Sequence, residues 1–539
     1  MHPNRMSPVQ WILTYGLLIA ACAALALTLL VFSEGRSATL FADSWTVLMD
    51  YQGAGFRFSF PSLVLFHNEH RPLFARVFIL ADILWAGGRG WLPFGVIFLT
   101  QAVQAWLLCR IAARQPWFQK HDRIPVFSLA IFCCFTIAQT DNFLWSFQTA
   151  FVMNFVFITG AAAAVAAQKE SASDKWSALV FVSIGAAPLC LASGMFVWML
   201  AAALALAIRL PRKWPLAYAA VGILGTPVYF LTYRENTKGL NNPMGALGKP
   251  MEVLSYVGHL LGSAWKGWPL ELGELLTVAA IVMLAIRVYR LVRRPPGSPW
   301  EAVPLGVMMV SLGTALLTAL ARVQYGVKQA ESTRYQTPAL LFWFAAALVV
   351  LSLLPKDALR WRLLFNAFIL IAMISSFRDA PETLERARTI RAKMDIAGAA
   401  WVSGVDDEES LNPMVAGNQL RLYWPMRERR LGPFSIPPGS EMGSILPVER
   451  IQVGSFCDGK FSRNGFFSND RWPGVRLRGS ARRASDGSPL QRFLVTTIDR
   501  RIVGAGSDGV AFAGVKTAEE RLIVYGLPGD GKACAIVTD

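Results

Sequence analysis

Charge is what this sequence has least of. Only 16% of its 539 residues are Asp, Glu, Lys or Arg, while 54% are hydrophobic and the mean hydropathy is +0.40. A soluble protein carries about 25% charged residues, so this chain has too few polar groups to cover a water-facing surface. That excludes a cytosolic enzyme, a secreted module and a disordered scaffold, and leaves an integral membrane protein. Cysteine is also scarce. Cys22, Cys109, Cys133, Cys134 and Cys190 lie in apolar runs as small core residues, and only Cys457 and Cys534 lie in polar sequence. There is no CxxC and no His/Cys cluster with zinc spacing, which excludes a zinc domain and a disulfide framework. A glycine-rich phosphate loop, an internal repeat and a small-residue cleavage site after the first apolar run are missing too. That run, from about Trp11 to Phe32, therefore reads as a first membrane helix kept in the mature protein.

The charge that is present is unevenly spread. The net charge is +16, but from Arg378 onward there are 23 basic and 20 acidic residues, so most of the excess lies in the apolar part. There it fills short loops between hydrophobic runs, which is topology charge rather than a nucleic-acid footprint. Runs suited to crossing a bilayer occur near 10–32, 91–110, 124–138, 147–167, 177–192, 195–210, 214–232, 270–289, 303–321, 338–354 and 362–377. The stretch from Arg71 to Gly87 is apolar but carries Arg71, Arg76 and Asp82. Laid along the membrane surface, it puts the basic loops 114–123, 209–215, 287–294 and 356–362 all on the cytoplasmic side. The expectation is a mainly α, polytopic helix bundle of about eleven spans, N-terminus cytoplasmic, with a small β-rich C-terminal domain outside. Its organisation is a membrane domain over 1–377, a helical and irregular connector over 378–450, and β-rich sequence over 451–539. The β-rich runs suit a small sandwich, and an oxidising compartment would allow Cys457 and Cys534 to pair.

The unusual polar residues gather in the loops this threading places outside. Asp43 follows the first span, where a carboxylate beside apolar surface can act as a general base; Asp is equally suited to capping the helix that starts at Ser44. His67-Asn68-Glu69-His70-Arg71 packs two of the five histidines with a carboxylate and an arginine. Its histidine spacing is not HExxH, so binding of an anionic group through His70 and Arg71 is preferred over a cation site or a solvated loop. His67 and Glu69 stand beside it as substrate contacts. In TDNFLWSFQT, Asp141 and Gln148 are sugar or acceptor contacts, while Trp145 reads as an interface anchor or a sugar platform. Arg322, Lys328 and Arg334 share one short outer loop, against the positive-inside bias. Guanidinium holding a lipid phosphate explains Arg334 better than snorkelling does. Arg234, Glu235 and Lys238 form a third polar outer site, and 251–265 reads as a surface-lying amphipathic helix in which His259 is packed.

This layout resembles the GT-C superfamily of polyprenyl-phosphate-sugar-dependent glycosyltransferases over roughly residues 1–377. Asp43 matches the acidic position in the family's long first outer loop, and HNEHRPLFAR matches the loop's return to the membrane. Ser-Thr-Arg334-Tyr335-x-x-Pro338 resembles the Arg-Tyr…Pro pattern that opens a late helix. A single Asp at 43 departs from the paired acidic motif of many relatives, so no cofactor is expected and metal dependence is not favoured; Asp50 is held in reserve. The resemblance implies a bacterial inner-membrane enzyme moving a sugar to a glycan, lipid or protein acceptor. Asp43 would be the base, and Arg334, Arg71, His70 and Tyr335 would hold the donor phosphate. A lipid-linked oligosaccharide polymerase or ligase is the nearest rival, and a lipid-linked glycan transporter a more distant one. The identity of the sugar is not legible.

Overall fold

The computed structural model describes residues 7–231, 233, 243–265, 267–355, 359–412, 419–452, 457–468, 471–528 and 532–538. Arg234, Glu235 and Lys238 lie outside the described residues. By its internal contacts the chain divides into two units. The first comprises Met1–Ser33, Val64–Ala75 and Gly95–Leu384, and the second Glu34–Leu63, Arg76–Phe94 and Glu385–Asp539. The division thus runs through the first long loop, and the connector from Glu385 belongs with the β-rich tail.

Among the described residues, eight helices are long and apolar enough to cross a membrane. They are Pro8–Gly35, Trp91–Ala113, Lys120–Leu144, Ser146–Ser171, Leu270–Arg293, Pro299–Tyr325, Thr333–Leu353 and the apolar part of Leu359–Ser403. Eight replaces the expected eleven, and the reason is length and composition. The runs at 177–192 and 195–210 form helices Lys175–Ala186 and Val197–Ala207, of 12 and 11 residues. At about 1.5 Å per residue neither reaches across a hydrocarbon core of about 30 Å. The run at 214–232 forms Lys213–Phe230, whose 18 residues include Lys213, Pro215 and Pro227.

These shorter helices pack closely. A Cβ on Gly222 would stand 1.9 Å from Cγ of Trp198, so helix Lys213–Phe230 meets helix Val197–Ala207 backbone against indole. Gly262 and Gly273 likewise bring helices Pro250–Gly262 and Leu270–Arg293 into backbone contact, a Cβ on Gly273 lying 2.6 Å from the Gly262 carbonyl oxygen.

The stretch after Arg71 forms the 13-residue helix Leu73–Trp85, too short to span, which belongs to the second unit from Arg76 onward. Its charges are used internally. Arg76 is buried, pairs with Asp50 at 2.9 Å and donates to the Ser62 carbonyl at 3.2 Å. The Asp82 carboxylate accepts from the N–H groups of Gly90 (2.6 Å) and Leu92 (3.0 Å), capping the start of helix Trp91–Ala113.

The tail is a closed barrel, not the expected sandwich. Strands β1 (Cys457–Phe467), β2 (Gly474–Arg483), β3 (Arg492–Thr497), β4 (Ile502–Ser507), β5 (Val510–Ala513), β6 (Leu522–Gly526) and β7 (Cys534–Thr538) follow the order β1-β2-β5-β4-β3-β6-β7. Every pairing is antiparallel except β1 with β7, whose parallel register Lys460↔Val537 and Phe461↔Thr538 closes the ring. Phe461, Leu477, Phe493, Val495, Val524 and Ile536 fill its interior. Cys457 and Cys534, at the starts of these two strands, are disulfide-bonded with their Cα atoms 5.8 Å apart. A bridge across a separation of 77 residues removes loop-closure entropy worth about 4 kcal/mol from the unfolded chain.

The contact at Gly222 gives a paired test. Gly222→Val forces the Trp198 indole to move and lowers the thermal midpoint in detergent, as overpacking of about 1–3 kcal/mol would. Gly225→Val, on the same helix with nothing within 4 Å of its Cβ position, leaves the midpoint near that of wild type. Equal midpoints for the two variants refute the packing.

Candidate functional site

The HNEH sequence folds into a two-residue hairpin. His67 and His70 exchange backbone hydrogen bonds of 2.8 and 3.0 Å, with Asn68 taking the left-handed φ of +53° that Asn tolerates well. The turn sets the four side chains apart. His67 packs its ring 5.1 Å from Phe147. Nδ1 of His70 accepts the Ala192 N–H at 3.1 Å, which leaves the ring proton on Nε2, 3.4 Å from Oε1 of Glu69. The same carboxylate oxygen lies 3.4 Å from Nη2 of Arg322. Burial by itself would push the Glu69 carboxyl up, but His70 and Arg322 outweigh it and hold the group below the ordinary carboxylate range.

Arg71 is used differently from the expected phosphate contact. Its Nε and Nη2 donate to the Tyr229 carbonyl at 3.1 and 2.8 Å, Nη1 donates to the Val64 carbonyl, and the guanidinium lies 3.9 Å over the Phe66 ring. Tyr229 is in the last turn of helix Lys213–Phe230, where carbonyls lack intrahelical partners, so Arg71 caps that end and ties the loop to it.

Arg334 stands at the mouth of helix Gln336–Leu353, reached through short 3₁₀ turns at Val327–Glu331 and Thr333–Tyr335. It is half-buried, with its guanidinium carbon 4.8 Å from the Tyr335 ring centroid and 6.0 Å from that of Trp145. Tyr335 is buried. Tyr256, on helix Pro250–Gly262, feels the charges of Arg334 and Arg322 and the neighbouring Tyr335, and its hydroxyl donates to Gln329 at 3.3 Å. Within the first unit Arg322 and Arg334 thus both act on Tyr256, and Arg322 is joined through Glu69 to His70. The amphipathic spacing of helix 251–265 was the only signal for Tyr256, and nothing local announced that Arg322 pairs with a residue 253 positions away.

The other residues divide. Asp141 is half-buried and its N–H donates to Thr333 Oγ1 at 3.0 Å, joining its loop to the Arg334 turn. Gln148 is 1% exposed and reads as packing rather than as a surface contact. Beneath them Gln139 accepts from Thr337 (2.9 Å) and Gln101 (3.1 Å) and donates to the carbonyls of Cys133 and Cys134. His259 is more than packed: its two nitrogens lie 3.2 Å from Glu274 and 3.5 Å from Glu331.

Asp43 belongs to the second unit. It occupies the position before helix Ser44–Gly53, half-buried, but its carboxylate makes no capping bond to that helix. Next to it Trp45 is fully buried and its indole N–H donates to the Leu40 carbonyl at 2.8 Å, which fixes the turn. Asp50 is taken up by Arg76. Among the described residues no group of three or more His, Cys, Asp or Glu side chains is arranged to hold a metal ion.

The Glu69 pairing has a pH signature. A carboxyl held low in the folded state contributes stability that is present above its unfolded pKa and is lost as pH falls through the folded one. Arg322→Ala removes the guanidinium that helps to hold it low, so this part of the acid-side drop in thermal midpoint is smaller than in wild type and ends at higher pH. A pH series of midpoints that superimposes for the two proteins refutes the pairing. Set against family models, curated proteins and solved structures, the chain matches none of them.

Proposed function

We propose that this chain is a membrane glycosyltransferase of the GT-C type. It takes a sugar from a polyprenyl-phosphate donor and passes it to a cell-envelope glycan, lipid or protein acceptor. The observation that carries the reading is that Arg322 and Arg334 both act on Tyr256, with Glu69 and His70 joined to Arg322, in a unit that contains apolar, membrane-length helices. Fixed cations beside lipid-facing helices suit a substrate with an anionic head and a hydrocarbon tail.

In this reading Arg334 pairs with the donor phosphate, its guanidinium steered by the Tyr335 and Trp145 rings. Arg322 supplies positive potential and His70 an Nε2–H donor, and Glu69 keeps both oriented. Arg71 anchors the loop rather than touching the donor. Asp43, at the acidic position of the GT-C resemblance, is the proposed base that takes the proton of the acceptor hydroxyl. The acceptor oxygen attacks the anomeric carbon, the bond to the phosphate oxygen breaks, and polyprenyl phosphate leaves with inversion. In this reading the N-terminus is cytoplasmic and the chemistry lies on the outer side of a bacterial inner membrane. A polymerase or ligase of lipid-linked oligosaccharides uses the same parts on longer chains. A transporter fits less well: the buried polar side chains of the spans include Gln101, Gln104, Gln139, Asn142 and Asn154, all neutral, and the buried Asp122–Arg362 pair sits at helix starts.

Mass spectrometry of lipid-linked sugars and surface glycan in a deletion strain tests this directly. With wild type restored, the glycan gains one residue and the donor pool falls. Asp43→Asn leaves donor accumulated, as loss of a general base worth about 10²–10⁴ in rate requires. Arg334→Ala weakens donor binding and turnover together. Full rescue by Asp43→Asn removes the proposed base, and unchanged donor affinity in Arg334→Ala returns that arginine to a membrane-surface role.

A further inference from the structure

The second unit holds two adjoining cavities, each about 420 Å³, that share Pro437, Pro438, Arg492 and Leu527. Every residue lining them belongs to that unit. Together they form one elongated groove running over β3 and β4 of the barrel. Six arginines line it: Arg36, Arg89, Arg391 and Arg492 in the first chamber, and Arg450 and Arg483 in the second, with Arg492 at the junction. Behind the walls Asp486 faces Arg483 and Asp82 acts on Arg36, and the carboxylates lining the groove itself are Asp395 and Glu441. Both are already engaged. Asp395 accepts from Ser37 Oγ at 2.5 Å and lies 3.5 Å from Arg391 Nε, and Glu441 pairs with Arg450 at 2.7 Å.

Of the remaining cations, Arg483 lies 3.8 Å from Asp486. Arg36 lies 3.5 Å over the Trp91 ring and donates to the Arg89 carbonyl at 3.2 Å, which orients it, and Asp82 and Asp395 act on its charge. Arg89 and Arg492 are exposed and make no ion pair among the described residues. So concentrated a positive groove has one simple use, to bind a chain of anions.

We propose that this groove binds an acidic oligosaccharide, its carboxylates or phosphates pairing with Arg89, Arg492 and Arg36 and its rings lying against Trp91 and the Pro437–Pro438 wall. Three features select a saccharide. Guanidinium pairs a sugar carboxylate or phosphate in bidentate fashion. Thr39, Ser507, Ser488 and Gln491 line the chambers with the neutral donors and acceptors that sugar hydroxyls use, and Trp91, 53% exposed, offers a ring face. An extended peptide would ordinarily add itself to an open sheet edge, but β3 is paired to β4 and β6, and β4 to β3 and β5, so the groove offers no edge. Two joined chambers suit successive sugar units. The proposal rests on the groove alone and does not require the transfer chemistry.

Binding to the intact, detergent-purified protein tests it, with hexagalacturonate as probe and maltohexaose and hexaglutamate as comparators. Hexagalacturonate binds, its affinity falls with added salt, and maltohexaose binds at least about tenfold more weakly. The double variant Arg89→Ala, Arg492→Ala loses on the order of tenfold or more in hexagalacturonate affinity while keeping the wild-type thermal midpoint, since neither side chain holds the fold. Unchanged affinity in that variant, or equal affinity for maltohexaose, overturns the proposal. Hexaglutamate binding as tightly as hexagalacturonate overturns the saccharide assignment and gives the groove to acidic peptides. Should the variant unfold, loss of wild-type binding in competition with inorganic polyphosphate, but not with maltohexaose, supports the anionic groove, and the reverse order refutes it.

Discussion

A backbone carbonyl or amide left without a partner in an apolar interior costs several kcal/mol. In the first unit helix gives way to short irregular turns around 135–148 and 323–335, among other places. Gln139 is what makes the first of these tolerable. It is fully buried, and one end of its amide satisfies the last carbonyls of helix Arg123–Cys134 while the other receives Thr337 and Gln101. Through Thr337 the same amide reaches the start of helix Gln336–Leu353, and the Asp141 N–H to Thr333 bond ties the two turns directly. The position of Arg334 therefore depends on a neutral amide lying below it. That dependence explains why the residues around Arg334 are rich in uncharged hydrogen-bonding groups, which settle irregular backbone without introducing a charge that would itself need pairing.

Much of this was legible in the sequence, and what was missed has a common cause. Hydropathy and charge located the long spans and separated the tail, because both report on local composition. The same signals overcounted spans at 177–192, 195–210 and 214–232, since apolar character shows burial but not length across a bilayer. The β-rich runs were recognised, whereas ring closure hangs on a parallel pairing between the first and last strands, which no local pattern encodes. In the HNEHR cluster, which the sequence marks by its density of polar groups, the arginine goes to a helix end and the carboxylate to Arg322. Residue type announces what a side chain can do; the partner that claims it comes from another part of the chain.

The second unit handles its charges by a contrasting rule. Asp82, Asp50 and Arg76 are consumed inside it, in a cap and a buried pair, so that a strongly charged stretch of sequence yields few unspent groups. The arginines of the barrel groove are arranged the other way, outnumbering the carboxylates beside them. A fold that spends stability on pairing most of its ions, yet leaves a row of cations in one cleft, keeps those cations for something outside itself.

Closure of the barrel between β1 and β7 also sets an order of events during biogenesis. Neighbouring hairpins such as β3 with β4 and β1 with β2 can form as soon as their own residues emerge, but the seam waits for the strand 77 residues further on. Until β7 has been delivered, β1 and β6 each present an unpaired flank, the form in which sheets are most prone to join with one another. The nascent tail thus has a window of vulnerability that ends only with its final strand, and a chain truncated before Cys534 would never leave it.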